Sequence, residues 1–207
     1  MATLSPILLE VIANRTRVIA ITTAQYDYLI ENGQLAEDTS TELIDGFVVA
    51  KDRSAAGDDA ATVGDRHRLA VRLLAKLDPK FARLGHFAQS QQPIALPPNN
   101  EPEPGLSVVR GKDDDYRHRK PGPKDVTCVV EVADSSLARD LGPKLRAYAV
   151  AKIPQYVVVD LTSDRVLVHT RPAGRSYREV VALTGRDTLR LSAGDAGSVP
   201  IRVDRLF

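Results

Sequence analysis

Glu131 is the charged residue whose position in this sequence says most about chemistry. It lies within Val126–Ala133, a β-branched run that is typical of a central strand. Such a strand is buried on both faces, so a carboxylate there needs a cation beside it. The alternative is a strand-end glutamate that turns into solvent or pairs with one arginine. Because side chains alternate along a strand, one face carries Glu131 with Thr127, Val129 and Ala133, and the other carries Val126, Cys128, Val130 and Val132.

A lysine and a second acid follow in the next predicted helix. Asp140, Lys144 and Tyr148 are spaced four residues apart and therefore share one helix face. By spacing alone, Asp140 and Lys144 form an exposed ion pair that contributes well under about 1 kcal/mol to stability. Glu42, at the base of a predicted hairpin, and His67, near the start of a predicted helix, are each weak candidates when considered alone.

Local signals predict the elements that position these residues in the first half of the chain. Asp45 and Gly46 indicate a two-residue hairpin turn, because both residues tolerate positive φ. A hydroxyl of Thr22 or Thr23 is expected to cap a helix that ends before Gly33. The other expected elements are a helix over residues 24–31, a mobile loop over 54–64, a helix over 65–77 closed by Pro79, strands over 89–96 and 106–110, and a loop over 111–124.

The second half of the chain predicts a crossover. The strand at 126–133 is followed by a helix over 137–152, capped by Ser135 or Ser136 and ended by Pro154, and then by a strand over 155–161. Strand, helix and strand at this spacing predict that the two strands are parallel with a right-handed connection. The segments RVLVHTR, YREVVAL and TLRLS alternate apolar and polar residues, as edge strands of a meander do.

Composition limits the class of protein. The chain has 207 residues and is 43% hydrophobic, which is typical of one soluble domain over residues 1–207, with 1–22 as an N-terminal extension. A disordered chain and a fibrous repeat are excluded. No apolar run approaches the roughly 18 residues of a membrane helix, so no membrane partner is expected. The single cysteine, Cys128, favours the reducing cytoplasm.

Charge is balanced overall but separated along the chain. The net charge is +1, which excludes a polycation that coats nucleic acid. Nine acids and two bases between Tyr26 and Asp59 give that segment −7, whereas eight bases and three acids between Arg139 and Arg178 give +5. If the two segments meet at one cleft, acids for a metal and bases for DNA lie side by side; otherwise both are ordinary solvated faces.

Five segments together resemble a known family. ELIDG, DRHRLAVRLLAKL, EPEPGLSVVRG, VVEVADSSLARDLGPKLRAYA and IPQYVVVDL are similar, in order and spacing, to the Uma-two family of bacterial endonucleases, within the PD-(D/E)XK restriction-endonuclease-like superfamily. The resemblance covers about residues 24–170. It implies an α/β fold with a mixed β-sheet flanked by helices, followed here by the C-terminal β meander.

The resemblance also implies a site. Glu131 matches the second metal carboxylate, Lys144 the lysine displaced onto the following helix, and Glu42 an additional acid. Asp140 would steer Lys144, and His67 matches the histidine at the helix start. Ala133 stands where the superfamily's usual strand lysine would be. The implied cofactor is Mg²⁺ or Mn²⁺, which prefers oxygen ligands and lowers the pKa of a bound water. The Val132 carbonyl at the strand end is a further candidate ligand.

Gly105 departs from the family pattern. The family has aspartate after Pro104 and before the hydrophobic strand, so the first metal carboxylate is missing here. Three explanations remain open: a natural degenerate member, an introduced substitution, or replacement by a neighbouring acid such as Glu103. Glu103 is on the same side of an extended chain but displaced by about 6–7 Å. Loss of this carboxylate should weaken metal binding and leave the fold intact.

These observations support three alternative functions, in order of preference. The first is a Mg²⁺-dependent endonuclease that hydrolyses DNA phosphodiesters, with DNA as the partner. The second is a catalytically silent module that retains the nuclease fold and binds nucleic acid or another partner. A third, DNA binding by the 111–124 loop alone, is weak because its three aspartates cancel much of its basic charge. Cleavage of both strands with one site per chain suggests a two-fold homodimer.

Overall fold

A six-stranded mixed sheet forms the centre of the molecule. The computed structural model describes residue 13 and residues 16–35, 40–50 and 60–207. A hairpin comes first, with strands β1 (Thr41–Ile44) and β2 (Phe47–Ala50). The strands of the main sheet are β3 (His86–Gln89), β4 (Leu106–Arg110), β5 (Val126–Ala133), β6 (Gln155–Asp160), β7 (Arg165–Ala173) and β8 (Ser176–Thr184), and their order in the sheet is that of the chain.

Strands β5 and β6 are the parallel pair of this sheet. Glu131 lies opposite Val158 in their register, and the other neighbouring strands of the main sheet are antiparallel. Both strands are buried along their whole length, because helices and loops cover both faces. The predicted parallel crossover and the mixed α/β class are confirmed.

Helices lie on both sides of the sheet. The helices are α1 (Thr23–Glu31), α2 (Ala60–Ala75), α3 (Asp78–Ala82), α4 (Leu137–Arg139) and α5 (Leu145–Val150), with a π-helical turn (Asp140–Lys144) between the last two. One apolar cluster joins α2 and α3 to one face of the sheet, and a second joins α5 to the other. Glu131 is on the face that α5 covers, since Tyr148 of α5 contacts it.

A register shift alters the predicted alternation at the start of β5. Val108 pairs with Cys128 and Val109 with Val126, so Thr127 is an extra residue. Its hydroxyl donates to the carbonyl of Ser192 at 2.9 Å. Val126 consequently packs with the second apolar cluster, whereas Cys128 packs with the first. The prediction that Val126 and Cys128 share a face was wrong for this reason.

The N-terminal elements follow the local signals. Thr22 caps α1 in a capping box with Gln25, and Asp45 and Gly46 have φ angles of 51° and 79° in the hairpin turn. The hairpin is a separate two-stranded sheet. Backbone hydrogen bonds of 3.2 and 2.7 Å between Leu43 and Glu101 attach it to the segment that precedes β4.

Several predicted boundaries were wrong. The strand predicted over 89–96 stops at Gln89, because the chain then bonds irregularly to the 102–104 segment, for example from the Ile94 N–H to the Pro102 carbonyl at 3.0 Å. Helix α2 begins at Ala60, inside the predicted 54–64 loop, whose residues 54–59 lie outside the described part of the chain. The predicted 111–124 loop includes a 3-10 turn, Asp113–Tyr116.

The last predicted strand is not part of the meander. Strand β9 (Thr188–Ser192) pairs with β10 (Ser198–Arg202) in a separate hairpin instead of with β8. Its apolar residues Leu189 and Leu191 pack into the first apolar cluster, and Gln155 of β6 bonds its backbone at the Arg190 carbonyl and the Ser192 N–H. Alternation alone does not distinguish these two arrangements, because both leave one face of the strand exposed.

Candidate active site

The centre of the candidate site is the ammonium group of Lys144. Its Nζ lies 2.9 Å from Glu131 Oε1, 2.9 Å from Glu42 Oε1 and 3.9 Å from Asp140 Oδ1. All four side chains are buried, with Glu131 and Lys144 the most accessible at 5%. The structure thus brings together four of the five residues expected in catalysis. The expected exposed ion pair of Asp140 and Lys144 was wrong, because β1 contributes Glu42 and closes over the lysine.

Three separate elements position these groups. Glu131 is two residues before the end of β5, Glu42 is the second residue of β1, and Lys144 ends the π-helical turn. The backbone N–H of Glu103 donates to Glu42 Oε1 at 2.9 Å and fixes that carboxylate. The alternative that Glu131 turns into solvent or pairs with an arginine was wrong, since its cation is Lys144.

The π-helical turn has a local cause in the sequence. Pro143 has no N–H to donate within a regular helix, and the Leu145 N–H donates to the Asp140 carbonyl five residues back. That carbonyl also accepts the Tyr156 hydroxyl of β6 at 2.9 Å. The Ser136 hydroxyl donates to Asp140 Oδ2 at 2.6 Å. These bonds hold the turn that presents Lys144 to Glu131.

Tyr148 completes the surroundings of Glu131. Its hydroxyl donates to Glu131 Oε1 at 2.7 Å, and its ring packs 4.8 Å from that of Tyr156. Sequence reasoning placed Tyr148 on the helix face of Asp140 and Lys144 but gave it no role. Ser136 was assigned only a capping role, and Tyr156 none. The i, i+4, i+8 spacing of Asp140, Lys144 and Tyr148 is the signal that could have identified the tyrosine.

Burial controls the charges of this cluster. Removal from water raises the pKa of Glu131 to about 7; Lys144 opposes the shift, and Asp140 and Glu42 add to it. Burial also raises the pKa of Asp140. For Lys144, burial alone would lower the pKa, but the surrounding carboxylates outweigh it and raise the pKa above its ordinary value. Lys144 is therefore a cation, and Glu131 can change its protonation state near neutral pH.

The carboxylates of the cluster meet part of what a hard divalent cation needs from its ligands. The carboxylates of Glu42 and Glu131 already converge on one cation, the Lys144 ammonium, and carboxylate oxygen is the ligand that Mg²⁺ prefers. Within the described ranges, however, no three His, Cys, Asp or Glu side chains come together with the spacing of a metal site. The residues fit a Mg²⁺ ion that two carboxylates hold and that water and phosphate oxygens complete.

Gly105 lies directly against β5. A β-carbon added there would be 3.2 Å from the Val130 carbonyl oxygen and 3.4 Å from Val132 Cγ2, so an aspartate would require a small adjustment of its neighbours. The φ angle of Gly105 is not in the left-handed region, so other residues can adopt this backbone. Gly105 itself supplies no carboxylate. Val132 lies beside it on β5 with its side chain in the first apolar cluster.

Glu103 and His67 are placed less centrally. Glu103 contributes its backbone N–H to Glu42, and its carboxylate is among the charges that raise the pKa of Tyr26, behind desolvation and Glu101. His67 is half-buried on α2.

A second lysine cluster, with Lys120 half-buried, lies outside this site. Lys120 pairs with Glu101 Oε1 at 2.5 Å and with Asp27. Glu101 is 2% exposed, and burial raises its pKa although Lys120 opposes the shift. The cluster joins α1, the segment before β4 and the 111–124 loop. It offers a matched comparison for the Lys144 cluster, because each lysine bridges two carboxylates.

Comparison with solved structures supports the fold. The chain is similar to a crystal structure described as "a putative nuclease belonging to DUF820" from Anabaena variabilis, with a TM-score of 0.61 and 12% sequence identity, over 86% of this chain and 96% of that one. Among the described residues, none of the helices has the length and apolar character that crossing a bilayer requires.

Comparison with curated proteins finds no match. The comparison with protein families does: residues 24–198 match the family described as "Uma2: Putative restriction endonuclease". The matched region spans all of the elements that carry Glu42, Glu131, Asp140 and Lys144. The resemblance read from the five segments is confirmed, and the chain belongs to the Uma2 restriction endonuclease family.

Proposed function

We propose that this protein is a divalent-metal-dependent endonuclease that hydrolyses DNA phosphodiester bonds at the Lys144 cluster. The observation that carries the proposal is the convergence of Glu42, Glu131 and Lys144, from three separate elements, at 2.9 Å contacts. Membership of the Uma2 family supports a nuclease as the general class. Paired carboxylates can hold a metal ion and a lysine can stabilise negative charge on a phosphate, and phosphodiester hydrolysis uses both effects.

Each residue has a role in this proposal. Glu131 and Glu42 would hold Mg²⁺ or Mn²⁺, with the Val132 carbonyl and the Glu103 carboxylate as further candidate ligands. When bound, the metal would lower the pKa of a water molecule and offset charge on the phosphate. Lys144 would place a compact positive charge beside the phosphate as negative charge develops there. Asp140, held by Ser136, would orient Lys144, and His67 would contact the DNA side of the site.

A second candidate function is a silent module that binds nucleic acid or another partner without cleaving it. Gly105 favours this function, because the carboxylate that the family has at this position is missing. The persistence of the buried Glu42, Glu131, Asp140 and Lys144 favours the nuclease. An unused cluster of buried charges would be destabilising to retain, because each charge must be removed from water.

A plasmid-nicking assay with Mg²⁺ or Mn²⁺ tests the proposal. We expect the wild-type protein to nick supercoiled DNA and Glu131→Gln to lose activity by at least about 100-fold. Glu101→Gln is the matched control, because it neutralises a buried carboxylate that also pairs with a lysine but lies outside the cluster. Equal losses in the two variants would contradict the site. Cleavage that appears only in Gly105→Asp would favour the silent module.

The cellular compartment and the oligomeric state of the protein are part of the proposal. Cys128 is a buried free thiol, as suits the reducing cytoplasm. A two-fold homodimer would present one site to each DNA strand. Light scattering of the purified protein, with and without duplex DNA, measures this directly, and a monomer in both conditions would contradict the dimer.

A further inference from the structure

The Lys144 ammonium holds the same two carboxylate oxygens that a metal ligand set would use. Nζ is 2.9 Å from Oε1 of both Glu42 and Glu131, which is an ordinary length for a charge-assisted hydrogen bond. Lys144 is 5% exposed, so water competes little with the two carboxylates as a hydrogen-bond acceptor. The cation position between the two acids is filled by a group of the protein itself.

Charge balance makes this ammonium important to the cluster. Three acids surround one base, and burial strengthens their interaction because the local dielectric is low. Removing the base would take the Lys144 charge away from the buried Glu131 carboxylate, and such a group takes up another cation or a proton. Keeping the base lowers the attraction of the same acids for any added cation.

We infer that Lys144 and a divalent cation compete for Glu42 and Glu131, so that the free protein binds metal weakly until Lys144 turns toward a phosphate group. This inference deepens the proposed function and rests on it. When DNA binds, its negatively charged phosphate attracts the Lys144 ammonium away from the two carboxylates. The carboxylates can then bind the divalent cation. Metal affinity and DNA binding are coupled through one side chain.

Metal titration without DNA tests the competition. Isothermal titration of Mn²⁺ into the full chain at pH 8 should show at least about tenfold tighter binding to Lys144→Met than to the wild-type protein. Lys80→Met is the matched control, because it also removes one lysine charge, but from an exposed position on α3. Its Mn²⁺ affinity should stay at the wild-type value. Equal or weaker Mn²⁺ binding by Lys144→Met would overturn the inference.

Thermal unfolding gives a second readout on the same proteins. Lys144→Met should have a lower Tm than the wild-type protein in EDTA and should recover stability when Mn²⁺ is added, whereas Mn²⁺ should leave the Tm of Lys80→Met at the wild-type value. If Lys144→Met does not fold, Lys144→Gln replaces it, since the glutamine amide can still donate hydrogen bonds to a carboxylate. Mn²⁺ that raises the Tm of the Lys80 and Lys144 variants equally would contradict the competition.

The two proposals fail in different ways. If the wild-type protein nicks DNA but neither Lys144 variant gains Mn²⁺ affinity, the nuclease function stands and the competition is wrong. If the Lys144 variants gain Mn²⁺ affinity but neither the wild-type protein nor Gly105→Asp cleaves DNA, the competition stands and the nuclease function is wrong.

Discussion

The hydroxyl of Tyr148 and the ammonium of Lys144 donate to the same oxygen, Oε1, of Glu131. In the described part of the chain, Oε2 of that carboxylate accepts no hydrogen bond from the protein. Glu131 is therefore held by one oxygen, and its other oxygen is free to contact a ligand. A tyrosine four residues after the lysine makes this arrangement possible, because the two side chains share a helix face.

Removing the Tyr148 hydroxyl should cost more stability than removing a comparable neutral hydrogen bond. We expect Tyr148→Phe to lower the free energy of unfolding by about 1.5–3 kcal/mol, because its partner is a buried carboxylate. Tyr177→Phe is the matched control: its hydroxyl donates to the Ile153 carbonyl at 3.0 Å, and its loss should cost about 1 kcal/mol. Urea denaturation measures both. An equal or smaller loss for Tyr148→Phe would show that the Glu131 bond is not formed in solution.

Restoring a carboxylate at position 105 should strengthen metal binding. Gly105→Asp adds a carboxylate beside β5, and its β-carbon contacts at 3.2 and 3.4 Å should lower stability by about 1–2 kcal/mol. Gly105→Asn has nearly the same volume without the charge. We expect both variants to lose similar stability, and only Gly105→Asp to bind Mn²⁺ more tightly in a calorimetric titration. Tighter binding by both would mean that charge is not the cause.

Glu131 should give the protein a pH dependence of stability below neutrality. Its pKa in the folded protein is about 7, against 4.5 for an ordinary glutamate, so the folded state binds this proton more tightly. The contribution is complete below about pH 4.5 and is lost as the pH rises through about 7. The difference in unfolding free energy between wild type and Glu131→Gln should fall over this range, by at most about 1.4 kcal/mol per pH unit. A flat difference would contradict the raised pKa.

Cys128 should be unreactive in the native protein. It is fully buried in β5, and burial raises the pKa of its thiol to about 12, so almost no thiolate is present at neutral pH. We expect negligible labelling by an aromatic disulfide reagent in buffer and complete labelling in guanidinium chloride. Rapid labelling without denaturant would show that β5 opens locally in the native state.

Sequence signals were sufficient where the cause of structure is local. The Asp45-Gly46 turn, the Thr22 cap and the β-branched run at 126–133 each specify their own geometry, and the structure has all three. The predicted strand at 89–96 failed because its hydrogen-bond partners lie in the Pro-rich 102–104 segment, which cannot form a continuous ladder. The sequence gives no signal for that pairing.

The grouping of Glu42, Glu131, Asp140 and Lys144 was predictable by resemblance but not by spacing. Asp140 and Lys144 at i, i+4 have the pattern of a surface ion pair, and their burial depends on Glu42, which is 102 residues away from Lys144 in the chain. Pro143 and Gly142 indicate an irregular helix, but not its π-helical form. The family pattern supplied the long-range pairing that local physics could not.

The attachment of the β1–β2 hairpin has a consequence for how the protein folds. The hairpin is outside the main sheet, and Glu42 reaches Lys144 only after the hairpin has docked. Contacts between residues so far apart in sequence form late, because closing a long loop costs entropy before any contact compensates for it. Residues 105–160 could therefore assemble the strands and the lysine helix first, and the complete charge cluster would appear only in the final step of folding.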